Sequence, residues 1–186
     1  NAVDNLVKLV QKSNYCIGTG FPGTPYILFA LADNGRADVA YKMLFNEKCP
    51  SWLYEVKQGA TTIWERWDGL DEKGECPIGD DGTDMMISYN HYASGAVGDF
   101  MYRRIAGIEM KEPGYRSFRI KPVMTEQISS AKGSVETPYG EIVSDWKIEN
   151  GRFTIQVHVP VGTTCSLELP DGSVEQLASG SYTRSL

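Results

Sequence analysis

The residues best suited to chemistry lie in one short segment, Trp64-Glu65-Arg66-Trp67-Asp68. It combines two indoles, two carboxylates and a guanidinium. Aromatic faces stack on the C–H faces of pyranose rings, and carboxylates accept hydrogen bonds from sugar hydroxyls or act as general acid and base. The segment therefore indicates a sugar site, although core tryptophans beside a surface ion pair at a helix end would give the same spacing.

A second candidate is the trio Asn90-His91-Tyr92, which stands just before a helical pattern. Junctions between a loop and a helix are common places for ligand contacts. A single histidine there can equally be a structural cap. The other histidine, His158, alternates with inward-facing valines in a strand pattern, so we expect it to face solvent without a chemical role.

No metal or cofactor is expected. The acidic stretch from Asp80 to Asp84 offers oxygen ligands that calcium would accept, but it does not have the EF-hand spacing, so a solvated loop is favoured. The glycine-rich turn around Gly18, Gly20 and Gly23 does not match either phosphate-binding arrangement, and we assign it to close backbone packing.

The cysteines, Cys16, Cys49, Cys76 and Cys165, lie far apart, without a C-x-x-C pair and with only two histidines in the chain. A tetrahedral zinc site is therefore left without ligands. We interpret the cysteines as free, mostly buried thiols. This usage favours a reducing compartment without excluding the periplasm.

The composition indicates a globular protein that does not bind nucleic acid. The 186 residues are 41% hydrophobic and 11% aromatic, which is enough to fill a core. The net charge is −6, and the longest basic run is Arg103-Arg104, so the footprint of a phosphate-backbone binder is missing. No apolar run approaches the roughly 20 residues that span a bilayer, so no membrane anchor is predicted.

The start of the sequence indicates a piece of a longer protein. It begins with Asn1 and continues at once into Val3, Leu6, Val7 and Val10, which share one face of a helix. Such a face needs a partner to cover it.

The first half of the chain carries helical patterns. Thr24-Pro25 is a hydroxyl N-cap followed by proline at the first helical position, and Asn34-Gly35 tolerates a left-handed end. Residues 68–83 have no periodicity and are expected to form an irregular loop. Besides the first helix, the pattern predicts helices over residues 24–32, 36–45, 52–57 and 88–106.

The second half alternates as strands do. The clearest turn is Asn150-Gly151, a two-residue hairpin signal with alternating apolar residues on both sides. Pro138-Tyr139-Gly140 and Asp171-Gly172 are further turns, so we predict an antiparallel β-sandwich. The predicted domains are residues 1–107, which are helical, and residues 108–186, which form the sandwich.

Four motifs follow one another along the chain: Thr19–Tyr26, Ala32–Tyr41, Gly59–Trp67, and Ser88–Ala93 with Gly95–Gly98. In this order they resemble the bacterial α-L-rhamnosidases. The resemblance implies the C-terminal part of an (α/α)6 helical barrel followed by an antiparallel β-sandwich, an α+β multidomain architecture.

The resemblance also implies an activity: hydrolysis of terminal non-reducing α-L-rhamnose from glycosides or plant polysaccharides, with inversion. In that family the general base is the glutamate of the motif matched by Glu65. The histidine matched by His91 contacts the bound rhamnose. Trp64, Trp67 and Asn90 would line or support the pocket on the weaker ground of adjacency.

One part of this machinery is missing. The family's general acid lies on helices that would precede this sequence, so the chain alone is expected to be inactive. Two alternatives stay open, a non-catalytic carbohydrate-binding or structural module in which the β-sandwich is the working part, and an (α/α)6 glycosidase for another sugar. A homodimer would be one way to cover the exposed surfaces of a partial barrel.

Overall fold

The chain folds into two units. The computed structural model describes residues 1–79 and 82–186. The units are Asn1–Gly98 and Asp99–Leu186. The first strand begins at Ile108, where the sequence pattern changes, but helical residues from Asp99 onward group with the strands. The domain boundary after residue 107 therefore stays a prediction.

The first unit is helical, as predicted. Asn1 and Asp4 form a capping box at the first helix, and Val7 and Val10 are buried on its inner face. The second helix is buried through Leu28 and its apolar neighbours. The helices are α1 Ala2–Lys12, α2 Thr24–Ala32, α3 Ala37–Leu44, α4 Trp52–Lys57, α5 Tyr92–Gly95 and α6 Val97–Phe100, the last of which crosses into the second unit.

Two helix starts differ from the prediction. Gly23 is the N-cap of α2, and the Thr24 hydroxyl donates to the carbonyl of Gly20 at 3.0 Å. The helix predicted from Ser88 begins only at Tyr92, because the Ser88 carbonyl accepts the Glu65 N–H at 2.9 Å and is not available to a helical turn. This region ends in a π-helical turn, Met101–Ile105.

The predicted irregular loop is confirmed. Residues 68–83 contain no helix or strand in their described part, and one isolated β-bridge joins Ile78 to Asp84. The acidic stretch considered for calcium lies partly outside the described residues, since these exclude Asp80 and Asp81. The cysteines are free, but the expectation that most are buried is wrong, since only Cys165 is buried.

The second unit is a sandwich of two four-stranded sheets, ordered β1-β2-β6-β7 and β3-β4-β5-β8. All neighbours are antiparallel except β2 and β6. The strands are β1 Ile108–Met110, β2 Ser117–Ile120, β3 Ser130–Thr137, β4 Gly140–Glu149, β5 Arg152–Val159, β6 Thr164–Glu168, β7 Val174–Leu177 and β8 Gly180–Ser185.

The predicted hairpin at Asn150-Gly151 is confirmed, with positive φ at both residues. Strand β5 alternates as expected, and the inward positions from Phe153 to Val159 are buried. His158 is exposed and its Nδ1 lies 2.9 Å from the Ser181 hydroxyl, which agrees with a solvent-facing residue.

Two buried side chains of strand β4 donate hydrogen bonds to the backbone at the end of the π-helical turn. Trp146 is fully buried, and its Nε1–H donates to the Ile105 carbonyl at 2.8 Å. The buried Ser144 hydroxyl donates to the Ala106 carbonyl at 2.7 Å. Terminal helix carbonyls have no partner within the helix. Strand β4 therefore supplies partners where the chain changes from helix to strand.

Gly107 follows directly and cannot be replaced without strain. Its φ is +82°, and a Cβ there would lie 2.4 Å from the Pro122 nitrogen. We predict that Gly107→Ala lowers the free energy of unfolding by more than about 3 kcal/mol, since backbone strain and overlap add. Chemical denaturation measures the change. Gly151→Ala is the matched control, because its φ is +75° with open space around it, and a loss of about 1 kcal/mol is expected there.

If Gly107→Ala and Gly151→Ala lost the same free energy of unfolding, the steric part of this explanation would be contradicted.

Candidate active site

Two backbone hydrogen bonds bring the two predicted site segments together. The Glu65 N–H donates to the Ser88 carbonyl at 2.9 Å, and the His91 N–H donates to the Ile63 carbonyl at 2.8 Å. The Thr62 hydroxyl also donates to the Tyr89 carbonyl. Residues 62–65 are thus fixed against residues 88–91. Both segments lie within the helical unit.

Ser88 also holds the carboxylate of Glu65. Its Oε2 accepts the Ser88 N–H at 2.9 Å, so residues 65 and 88 are joined by two hydrogen bonds. The residue is partly exposed. Within the described part of the chain, Oε1 accepts no hydrogen bond, which leaves this oxygen available to a water molecule or a hydroxyl.

The second carboxylate of the segment has a different environment. Arg66 donates to both oxygens of Asp68, at 2.9 and 2.8 Å. This bidentate pair lowers the pKa of the Asp68 carboxyl and raises the pKa of the Arg66 guanidinium. Asp68 is therefore committed to an ion pair, and Glu65 is the carboxylate of this segment with an oxygen left to react.

The two tryptophans of the segment differ in accessibility. Trp64 is 3% exposed and packs edge-to-face on Tyr89, with ring centroids 5.3 Å apart. Trp67 is partly exposed and meets Trp52 edge-to-face at 5.4 Å. The Trp52 indole is itself buried, and its N–H donates to the Ser94 carbonyl at 2.9 Å. Trp64 can thus support a pocket from behind, while Trp67 keeps some accessible surface.

His91 lies at the start of α5 and stacks between two aromatic rings. The Phe21 ring centroid is 4.4 Å away and the Tyr92 centroid 5.4 Å away. Its Nδ1 is buried and has no hydrogen-bond partner among the described residues. The neighbouring Asn90 is exposed. The ring plane of His91 is therefore set by stacking and by its backbone N–H.

Sequence reasoning missed a buried glutamate, Glu55 on α4. It is 0% exposed, and its Oε2 accepts the Trp64 N–H at 3.0 Å. Burial raises the pKa of this carboxyl to about 7, against the opposing effect of that hydrogen bond. A carboxylate three residues after the core Trp52, on a short helix with a buried Ser51 cap, was the available signal.

Ser88 and Phe21, which hold Glu65 and His91, were missed as well. Both lie within motifs of the resemblance, Thr19–Tyr26 and Ser88–Ala93, but these motifs do not indicate which contacts the two residues make.

Within 1–79 and 82–186, no group of three or more histidine, cysteine, aspartate or glutamate side chains is placed to hold a metal ion. Over the same residues, none of the helices has the length and hydropathy needed to cross a bilayer.

Two family models together match nearly the whole chain. The bacterial alpha-L-rhamnosidase 6 hairpin glycosidase domain matches residues 1–105, and the bacterial alpha-L-rhamnosidase C-terminal domain matches residues 107–184. These matches and the solved structures below confirm the predicted fold class, the C-terminal part of a helical-hairpin barrel followed by a β-sandwich.

Individual relatives are similarly named. A curated alpha-L-rhamnosidase of Formosa agariphila is 41% identical over 178 residues, covering 95% of this chain and 19% of that protein. One of Streptomyces avermitilis is 39% identical over 169 residues, covering 91% of this chain and 16% of that protein. The chain therefore spans less than a fifth of the length of these relatives.

Solved structures agree. The chain is similar along 100% of its length to the Streptomyces avermitilis alpha-L-rhamnosidase complexed with L-rhamnose, with a TM-score of 0.87, 34% identity and 19% of that chain covered. The native enzyme from Aspergillus terreus gives a TM-score of 0.89 and 33% identity, again over 100% of this chain and 21% of that one.

The raised pKa of Glu55 predicts a pH-dependent stability. Between about pH 4.5 and 7 the unfolded carboxyl releases its proton while the folded one keeps it, so the stability of the helical unit falls as pH rises. Glu55→Gln removes this titration. Between pH 4 and pH 8, the free energy of unfolding of the wild type should fall by on the order of 3 kcal/mol relative to that of the variant.

Denaturant titrations followed by tryptophan fluorescence measure this, since Trp52, Trp64 and Trp67 all lie in the helical unit. Glu72→Gln, at an exposed loop glutamate, is the control and should leave the pH dependence of wild type unchanged. A parallel pH dependence in wild type and Glu55→Gln would contradict the raised pKa.

Proposed function

This chain belongs to the bacterial α-L-rhamnosidase family, and we propose that it is the C-terminal part of an enzyme that hydrolyses terminal non-reducing α-L-rhamnosides with inversion. Residues 1–107 contribute the last helices of the catalytic barrel, and residues 108–186 form the sandwich that follows it. Substrates are glycosides or plant polysaccharides. Relatives along 91–95% of the chain carry the rhamnosidase name, which supports this assignment.

Glu65 is the general base in this proposal. In single displacement, a carboxylate removes a proton from the water that attacks the anomeric carbon, opposite the leaving group. The observation that carries the assignment is the pair of hydrogen bonds between Glu65 and Ser88, which fixes the carboxylate and leaves Oε1 to orient the water. The partial exposure of Glu65 and the commitment of Arg66 to Asp68 support it further.

The remaining site residues act on the sugar. His91, with its ring held by Phe21, contacts the bound rhamnose. Trp67 and Asn90 line the pocket with their accessible surface, and the buried Trp64 supports it from behind. The general acid that protonates the leaving oxygen lies in the part of the enzyme outside this sequence, so the chain alone should not hydrolyse glycosides.

The proposed partner is therefore a carbohydrate and not nucleic acid, in keeping with the net charge of −6. A homodimer remains a prediction, which sedimentation of the complete enzyme would test.

We predict that Glu65→Gln, made in the complete enzyme, lowers kcat on an α-L-rhamnoside by about 10² to 10⁴-fold, because the amide cannot accept the proton of water. Initial rates across substrate concentrations measure this. Glu72→Gln, the same substitution at an exposed loop glutamate, should retain wild-type kcat.

The role is distinguished from simple disruption by adding azide to Glu65→Ala. Azide needs no deprotonation, so it should restore turnover and give the β-configured rhamnosyl azide. A product of α configuration, or a Glu65→Gln enzyme of undiminished kcat, would exclude Glu65 as the base of an inverting reaction.

His91→Ala should lower kcat/KM by about 10- to 100-fold, since a sugar hydroxyl left without its hydrogen-bond partner costs about 1–3 kcal/mol. The matched control is His158→Ala, at the exposed histidine of the sandwich. If the two alanine variants had equal kcat/KM, a contact between His91 and the substrate would be excluded.

A further inference from the structure

Burial of the Glu55 carboxyl lowers the stability of the helical unit. It is 0% exposed, and its Oε1 has no hydrogen-bond partner among the described residues. No cation forms an ion pair with it in the described part of the chain. A buried carboxyl without a counter-ion destabilises a fold, and an apolar side chain of similar size is usually better tolerated. Its presence therefore needs a reason other than stability.

The hydrogen bonds of Glu55 give that reason. Its main-chain carbonyl accepts the Ala60 N–H at 3.0 Å, and its carboxyl Oε2 accepts the Trp64 N–H at 3.0 Å. One residue therefore holds both ends of the five-residue turn Ala60–Trp64. Glu65 is the next residue after this turn.

The direction of the Trp64 peptide explains why a side chain is required. The Ile63 carbonyl and the Glu65 N–H both bond to residues 88–91 on one side. The Ile63 carbonyl and the Trp64 N–H belong to the same planar trans peptide group, in which C=O and N–H point in opposite directions, so the Trp64 N–H is directed away from that segment. It is buried with its residue, and a buried N–H without an acceptor is costly. The Glu55 carboxyl is the acceptor on that side.

We propose that Glu55 is the positioning residue for Glu65, holding the Trp64 peptide so that the carboxylate one residue later keeps the orientation needed to activate water. This inference rests on the proposed function of Glu65. Catalytic groups lose much of their effect when displaced by about 1 Å, so a peptide free to rotate beside the base would lower the rate without changing how substrate binds.

The test uses three substitutions of Glu55 and one control, all made in the complete enzyme. Glu55→Gln keeps a side-chain oxygen that can accept from the Trp64 N–H. Glu55→Met and Glu55→Leu fill similar volume without an acceptor. Val56→Met is the control, at an exposed neighbour on the same helix. We expect the apolar variants to lose about 10- to 100-fold in kcat with KM within about twofold, and Glu55→Gln and Val56→Met to stay within about fivefold of wild type.

A double-mutant cycle separates positioning from general structural damage. In the Glu65→Ala background, azide replaces water and no carboxylate remains to be oriented. Adding Glu55→Met there should change the azide-supported rate by less than about twofold. A loss as large as in the wild-type background would overturn the proposal, because the substitution would then act on the whole site.

Other outcomes are also decisive. Full kcat in Glu55→Met, or an equal loss in Glu55→Gln and Glu55→Met, would overturn the role of the acceptor. If both apolar variants were insoluble and Glu55→Gln were soluble, Glu55 would be needed for folding, and this result would also overturn the proposed positioning role. Retained kcat in Glu65→Gln would instead refute the proposed function itself. A loss of kcat in Glu65→Gln together with full kcat in Glu55→Met would refute only this inference.

Discussion

The pairing of residues 62–65 with residues 88–91 is the interaction on which the candidate site depends. The side chains of Glu65 and His91 occur on separate segments, and neither segment is part of a long helix or strand at that point. Two backbone hydrogen bonds and the Glu65 carboxylate bond to Ser88 join them. A side chain on such irregular backbone needs support from both sides to keep one position, and α4 supplies the other side through Glu55.

Much of the fold could be predicted because its signals are local. The proline at the start of α2 and the Asn150-Gly151 turn each depend on neighbouring residues alone. Alternation along β5 likewise predicted which face is buried. The helix expected from Ser88 failed for the opposite reason, since a backbone bond to a residue 23 positions away removed its first carbonyl.

The site was predictable only in part for the same physical reason. Glu65 and His91 could be proposed as site residues from motifs, but the residues that hold them in place could not. Ser88 acts through its main chain, which has no sequence signature. Phe21 reaches His91 by a contact across 70 positions of sequence. Glu55 lies three residues after Trp52 on α4, but an acidic residue on a helix ordinarily indicates a solvent-exposed face, so this spacing was too weak a signal to predict its burial.

The hydrogen bonds between residues 65 and 88 also close the loop that lies between them. The entropy cost of closing a loop grows only with the logarithm of its length, so doubling the loop would cost about 0.6 kcal/mol. Segments can therefore be inserted or deleted between these two anchors while the carboxylate keeps its place. Changes in loop length can therefore alter the surface beside Glu65 without altering the candidate site itself.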